Sequence, residues 1–393
     1  MPRSCLLGVL FWFGFLPWGV ARGGDDARVA VRVLDLLKLR QLSVSAVSRP
    51  LRVELKPATG GSGQTTGDVQ SVSIRLDERG ALLARRDQEP ERQVQSLRIS
   101  PAGGDGACRV AASGIPGREY RGSLEITARK GVLGVINRLS LGDYLCGVVG
   151  SEGGMDAPPE ALQAQAVLAR TFARRLRERH GPADFCDTTH CQLYQGRETA
   201  TPGVEAAVRA TEGETLAWQG APVRALYHST CGGTTRPFAD AWGRPGPAYL
   251  GGVADGDACR ESPHFRWEFR IGQAECMELL RAVAGGQPAA VEVEEAGPGG
   301  WVRWLAVRQQ DGPALRLRGE EFHSRAGRRL GWNAIRSACF TVRREGETWV
   351  FEGRGFGHGV GLCQWGAAGL ARQGWDHGRI LAFYYPGTGL RRD

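Results

Sequence analysis

The chain has no block of like charge and no basic stripe interleaved with aromatics, although its net charge is +8 over 393 residues. Those absences exclude the usual footprint of a nucleic-acid-binding protein. Lysine is scarce beside arginine, and the positive excess is dispersed. Such a surface suits a protein facing an anionic polymer, and equally an ordinary soluble one. Beyond the N-terminus no apolar run is long enough to cross a bilayer. At the N-terminus itself, Arg3 precedes an apolar run over 6–20 that contains Pro17 and glycines, and Gly19, Val20 and Ala21 supply small residues for cleavage. This pattern predicts a signal peptide over 1–21 rather than a membrane span, and hence an exported protein of the periplasm, cell wall or extracellular space. Cys5 precedes the apolar run, so a lipid-anchored cysteine is not expected.

Cysteine is not scarce. Of ten, only Cys5 falls within the signal, leaving an odd number in the mature chain. An oxidising compartment accommodates them as disulfides, yet at least one must stay unpaired or bind a metal. Length allows a full core and two or three subdomains. Residues 24–135 read as a β-rich accessory domain, with strand runs at 29–34, 42–47, 72–76 and 120–126 between Gly-rich loops at 60–64 and 101–106. Residues 136–393 read as a second, mixed α/β domain, with 262–352 an extended or inserted β-containing segment. Within that segment a helix is expected over 273–283 and strands near 301–308 and 339–351. The fold class is thus α/β (α+β).

The centre of the chain is the stretch from Asp143 to His180. Residues 144–149 read as a short apolar strand entering a turn that carries Glu152 between glycines. Pro158 and Pro159 suit the first turn of a helix, where a missing N–H costs nothing. Leu162, Ala166, Ala169, Ala173 and Leu176 then recur at helical spacing. Asp143 is expected to begin the strand and Asp156 to cap the helix. On spacing alone, a glutamate in such a turn is most often merely solvated.

The run LGDYLCGVVGSEGG…PPEALQAQAVLARTFA resembles the core motif of the stage II sporulation protein D / LytB family of peptidoglycan-cleaving proteins. Three further blocks follow in the family's order: CDTTHCQLYQG (186–196), ALYHSTCGGTT (225–235) and GRGFGHGVGLCQWGA (353–367). The resemblance implies that Glu152 is the catalytic acid and base of a lytic transglycosylase. It also implies that Gln192 and Tyr194 line the substrate groove, where amide and phenol groups suit sugar N-acetyl and hydroxyl groups. Peptidoglycan glycan strands freed of stem peptides by a cell-wall amidase are the implied substrate. A lytic transglycosylase uses the sugar's own 6-hydroxyl as nucleophile, so one carboxyl that gives and then takes a proton suffices; ordinary glycosidases need two.

The cluster His180-(x5)-Cys186-(x3)-His190-Cys191 offers two imidazoles and two thiols, a set that tetrahedral zinc uses. Some family relatives bind zinc in this loop, so a structural zinc is expected; the alternative is a Cys186–Cys191 disulfide. Proton transfer itself needs no cofactor. His228 and Ser229 invite a nucleophile–base reading, but neighbours on one strand point to opposite faces. They are therefore placed in the groove wall, with Gly232 and Gly233 allowing close approach of a sugar ring. His358 is expected to turn towards the groove, with Gln364 and Trp365 nearby. Cys231 and Cys259 are expected to pair. Two other readings compete with the transglycosylase. One is a zinc-dependent wall amidase; the other is a non-catalytic glycan-binding modifier of a separate amidase.

Overall fold

The computed structural model describes residues 24–58, 64–104, 106–154, 156–175 and 180–392. The expected signal peptide and Leu176 lie outside them. Helices and strands are both abundant, and the class is mixed α/β.

The N-terminal part is a twelve-stranded, largely antiparallel sheet. Its strands alternate as half-buried strands must. In Leu51–Pro57, Leu51, Val53 and Leu55 turn inward while Arg52, Glu54 and Lys56 face solvent. Ser71–Leu76 repeats the pattern with Val72, Ile74 and Leu76. The run over 120–126, expected as one strand, is two: Ile115–Arg121 and Ser123–Arg129. Gly122 separates them at φ +77°, and a Cβ there would lie 2.2 Å from the Arg138 carbonyl oxygen.

The boundary expected at 135/136 falls inside the strand Val132–Ser140, which pairs with both Arg28–Val33 and Ser123–Arg129. The chain later returns to this sheet, where Phe185–Cys186 pairs parallel with Arg28–Val33. One apolar core therefore joins the sheet residues Val31 and Leu139 to Tyr144, Leu162 and Val208 from the elements that follow.

The expected strand at 144–149 is instead a helix, α1 (Leu141–Gly153). Ser140 caps it: its hydroxyl oxygen accepts from the Asp143 N–H at 3.0 Å and its O–H donates to the Asp143 carboxylate at 2.8 Å. Asp143 accordingly sits in the first helical turn and not on a strand. Leu141, Tyr144, Leu145, Val148 and Val149 follow at helical spacing, all buried. The glycines between them serve close approach: a Cβ at Gly150 would lie 2.0 Å from the Thr199 carbonyl oxygen. Such a helix is buried all round, and its apolar run cannot be told from a strand by periodicity. Gly154 ends it at φ +78°.

The next helix, α2 (Pro159–Arg175), buries its alanine face as expected. Asp156 does not cap it, since the N–H groups of Ala161 and Leu162 bond the Pro158 carbonyl. The α2 helix lies between the N-terminal core, through Leu162, Ala166 and Ala169, and a second core, through Ala164, Val167 and Leu168. That second core also holds Val360, Leu362, Ala367 and Ile380 from the C-terminal end. Residues 262–352 form a third core from two three-stranded sheets and two helices, Gln273–Ala284 and Gly319–Leu330. The second of these helices is strongly charged and was not expected; Phe322 and Ala326 anchor it. The strand expected over 339–351 is a hairpin, Phe340–Glu345 with Thr348–Gly353.

Candidate active site

Glu152 stands in the last turn of α1 and faces a pocket of about 420 Å³. Ser151, Asp156, Ser229, Gln364 and Trp365 are among its walls. A larger cleft of about 840 Å³ lies on the N-terminal sheet, but the carboxylates in its lining, Glu89 and Glu91, are held in ion pairs with Arg86 and Arg75. The smaller pocket is where the chemistry is concentrated. Burial raises the Glu152 carboxyl above its ordinary range. Two hydrogen bonds oppose this, from the Leu193 N–H at 2.7 Å and the Tyr227 hydroxyl at 3.4 Å. Burial prevails. The helix terminus acts in the same direction, because the C-terminal end of α1 carries partial negative charge and disfavours a carboxylate.

Both bonds fall on Oε1, and among the described residues Oε2 takes none. A chain of donors stands behind Oε1. The Tyr144 hydroxyl donates to Gln192 Oε1 at 3.3 Å, Gln192 Nε2 donates to the Tyr227 hydroxyl at 3.1 Å, and Tyr227 donates to Glu152. This arrangement fixes one carboxyl oxygen and leaves the other free to carry a proton towards the pocket.

Several residues expected in the groove wall are elsewhere. Gln192 is fully buried and serves the Tyr227 chain, not a sugar. Tyr194 is buried against Tyr144 and Tyr120, and its hydroxyl donates to Asn137 Oδ1 at 2.8 Å. His228 is buried, with Nδ1 donating to the Val360 carbonyl at 3.3 Å; burial, with His358 beside it, lowers its pKa to about 3. His358 Nδ1 accepts from the Val360 N–H at 3.0 Å, and its ring packs between His228 and Trp242. Burial lowers its pKa too. Gly232 packs on Arg354 and Gly355, and Gly233 lies beside the Gly256 carbonyl, neither in the pocket. Ser229 and Gln364 do line it. Gln364 Nε2 also donates to Gln165 Oε1 on α2 at 3.3 Å. Sequence reasoning missed the roles of Leu193, Tyr227 and Gln165; only the adjacency of Tyr227 to the HSTCGG block pointed to any of them.

His180, Cys186, His190 and Cys191 converge. Their ligand atoms all lie within 4.8 Å of one another, and His180 Nε2 is 3.1 Å from Cys191 Sγ. Cys186 and Cys191 are not joined by a disulfide. The donor set and its spacing fit a closed tetrahedral metal site. Leu193, which donates to Glu152, lies two residues beyond Cys191, so this cluster and the donor that holds the carboxyl share one short segment. A second possible metal-binding group, Cys231, Asp255, Cys259 and Cys363, lies wholly buried. The Cys231–Cys259 disulfide expected from the sequence is not formed: the two sulfurs are 3.6 Å apart, held as thiols against Asp255 and Cys363.

The family described as "Stage II sporulation protein" matches residues 129–218, and one described as "Domain of unknown function" matches 250–361. An uncharacterized protein of Brachyspira hyodysenteriae is 32% identical over 281 residues, covering 70% of this chain and 73% of that one. Stage II sporulation protein D of Bacillus subtilis is 29% identical over 270 residues, 64% of this chain and 75% of that one. The amidase enhancer of Bacillus subtilis is 26% identical over 342 residues; this covers 75% of the present chain but 47% of the enhancer.

Proposed function

This chain belongs to the stage II sporulation protein D / LytB family and has a cell-wall-related role, and from that premise we propose that it is an exported peptidoglycan lytic transglycosylase with Glu152 as acid and base. The observation that carries the reading is the Glu152 carboxyl in a pocket, raised by burial, bonded at Oε1 and, among the described residues, without a partner at Oε2. In the first step the acid at Oε2 protonates the glycosidic oxygen between N-acetylmuramic acid and N-acetylglucosamine as the bond from the anomeric carbon breaks. The resulting carboxylate then takes the proton of the muramic 6-hydroxyl as that oxygen bonds the anomeric carbon. The proton returns to Glu152, a 1,6-anhydro end forms, and no water is consumed. General acid–base assistance of this kind is most efficient when the group titrates near working pH, which a raised carboxyl favours. Ser229, Gln364 and Trp365 offer hydroxyl, amide and ring contacts to the strand.

His180, Cys186, His190 and Cys191 would hold zinc, with a structural role: four protein ligands leave no open position for catalysis. Their work is to hold the loop that aims the Leu193 N–H at Glu152. The partner strands are those already stripped of stem peptides.

The similarity to an amidase enhancer favours one other reading, a glycan-binding modifier of a separate amidase. Mass spectrometry of peptidoglycan, intact and amidase-treated, digested by the pure protein separates the two. Anhydro-muramic ends are expected on the amidase-treated strands. Only reducing ends, or no cleavage together with stimulation of an added amidase, would overturn the proposal.

A further inference from the structure

We propose that Cys231, Asp255, Cys259 and Cys363 form a second, buried metal site for a thiophilic divalent cation of the zinc class. The four come from three separate stretches of chain, yet their ligand atoms lie within 4.8 Å of one another and all four residues are buried. Zinc–sulfur bonds of about 2.3 Å set two thiolates of a tetrahedron roughly 3.8 Å apart. The Cys231 and Cys259 sulfurs are at 3.6 Å, and Asp255 Oδ1 is 3.0 Å from Cys231 Sγ.

The surroundings are those of a thiolate cluster. The Gly233 N–H donates to Cys231 Sγ, and those of Cys231 and Gly366 donate to Cys363 Sγ, each at 3.3 Å. Cys363 is also the N-cap of the helix Gln364–Arg372, whose free N–H groups favour negative charge. Asp255 Oδ2 accepts from the Tyr384 hydroxyl at 2.8 Å, a bond that orients the carboxylate as outer partners of metal ligands do. Space is reserved for it: a Cβ at Gly366 would lie 2.4 Å from Asp255 Oδ2. The hydrogen-bond partners of the Asp255 carboxyl, the Cys231 and Cys363 thiols and the Tyr384 phenol, are neutral. A carboxylate buried among thiols needs a compensating cation, and a divalent ion supplies it while the thiol protons pass to solvent.

The placement gives the ion a task. Cys363 ends the strand Leu362–Cys363, which pairs with Tyr227–His228. Cys231 lies two residues beyond Ser229, and Gln364 and Trp365 directly follow Cys363. One ion would therefore pin the two chain segments that supply Tyr227, Ser229, Gln364 and Trp365 to the pocket around Glu152.

The test is elemental analysis of the full exported chain purified without chelator, with non-reducing peptide mapping. The wild-type protein should carry two equivalents of zinc. The variant Cys186→Ser/Cys191→Ser should keep one, and further substitution of Cys259→Ser should remove it. Should that last variant fail to fold, Cys186→Ser/Cys191→Ser loaded with cobalt(II) alone should still show thiolate-to-cobalt charge-transfer absorption. Wild-type protein with at most one equivalent that disappears in Cys186→Ser/Cys191→Ser would overturn the proposal. So would a Cys231–Cys259 disulfide, or a cobalt sample without thiolate bands.

Discussion

Replacing Glu152 with glutamine isolates the proton from everything else the side chain does. The glutamine Oε1 can still accept from the Leu193 N–H at 2.7 Å and the Tyr227 hydroxyl, so the side chain keeps its place. What changes is the second position, where an acid becomes an amide that neither donates a catalytic proton nor takes one back. General acid–base catalysis contributes about 10²- to 10⁴-fold, so glycan cleavage should fall by that factor, or about 3–5 kcal/mol of barrier. Stability should move the other way. The folded-state pKa of Glu152 is raised, so its contribution favours the fold below the unfolded-state pKa and is lost as pH rises through the folded value. At neutral pH the carboxyl is therefore a burden, and Glu152→Gln should melt at or above wild type, with the difference closing on acidification. Asp143→Asn should retain activity, since Asp143 faces Arg121 at the far end of α1. Asp156→Asn is the sharper control, because that exposed carboxylate lines the same pocket; it should lose far less than Glu152→Gln. Release of anhydro-muropeptides from amidase-treated peptidoglycan is the assay. Wild-type turnover in Glu152→Gln, or an equal loss in Asp156→Asn, would refute the single-carboxyl argument.

Tyr227→Phe removes a bond that favours the ionised carboxyl, so Glu152 should titrate higher still and the alkaline limb of the pH–rate profile should move up; an unmoved limb would show that the hydroxyl does not act on Glu152. Gly150→Ala would press a methyl group to 2.0 Å from the Thr199 carbonyl oxygen and should cost roughly 1–3 kcal/mol in a urea melt, the range for overpacked cores; an unchanged melt would refute the close packing of α1.

The legible parts of the chain were those with local rules. Val72, Ile74 and Leu76 alternate, and they form a half-buried strand. The helix Pro202–Ala210 follows a rule as local, with Thr201 as its cap accepting from the Val204 N–H at 3.3 Å. α1 was not legible because Tyr144, Leu145, Val148 and Val149 are buried together with the glycines among them, which erases any face. The capping pair Ser140–Asp143 was the available signal, three residues apart and ahead of an apolar run. Residues 262–352 hid a helix for the opposite reason, since Gly319–Leu330 is charged over most of its surface.

The candidate site shows the deeper limit. Glu152 could be singled out in sequence by its resemblance to a family motif, but its environment is contributed by residues 41, 75 and 212 positions further on: Leu193, Tyr227 and Gln364. Local chemistry then misleads. An amide and two phenols in QLY and LYH look like groups for sugar hydroxyls, yet Gln192 and Tyr194 are buried, and Gln192 spends its hydrogen bonds on Tyr144 and Tyr227. On the proposed mechanism the burial of Gln192 serves what a lone acid requires, while Tyr194 is held by Asn137 and its aromatic neighbours. A carboxyl that must hold a proton near neutral pH needs apolar enclosure to raise it and a fixed donor set on one oxygen to aim it. On the proposed mechanism, polar residues that look suited to the substrate are used behind the acid, and contacts with the glycan would fall to Ser229, Gln364 and Trp365, which line the pocket.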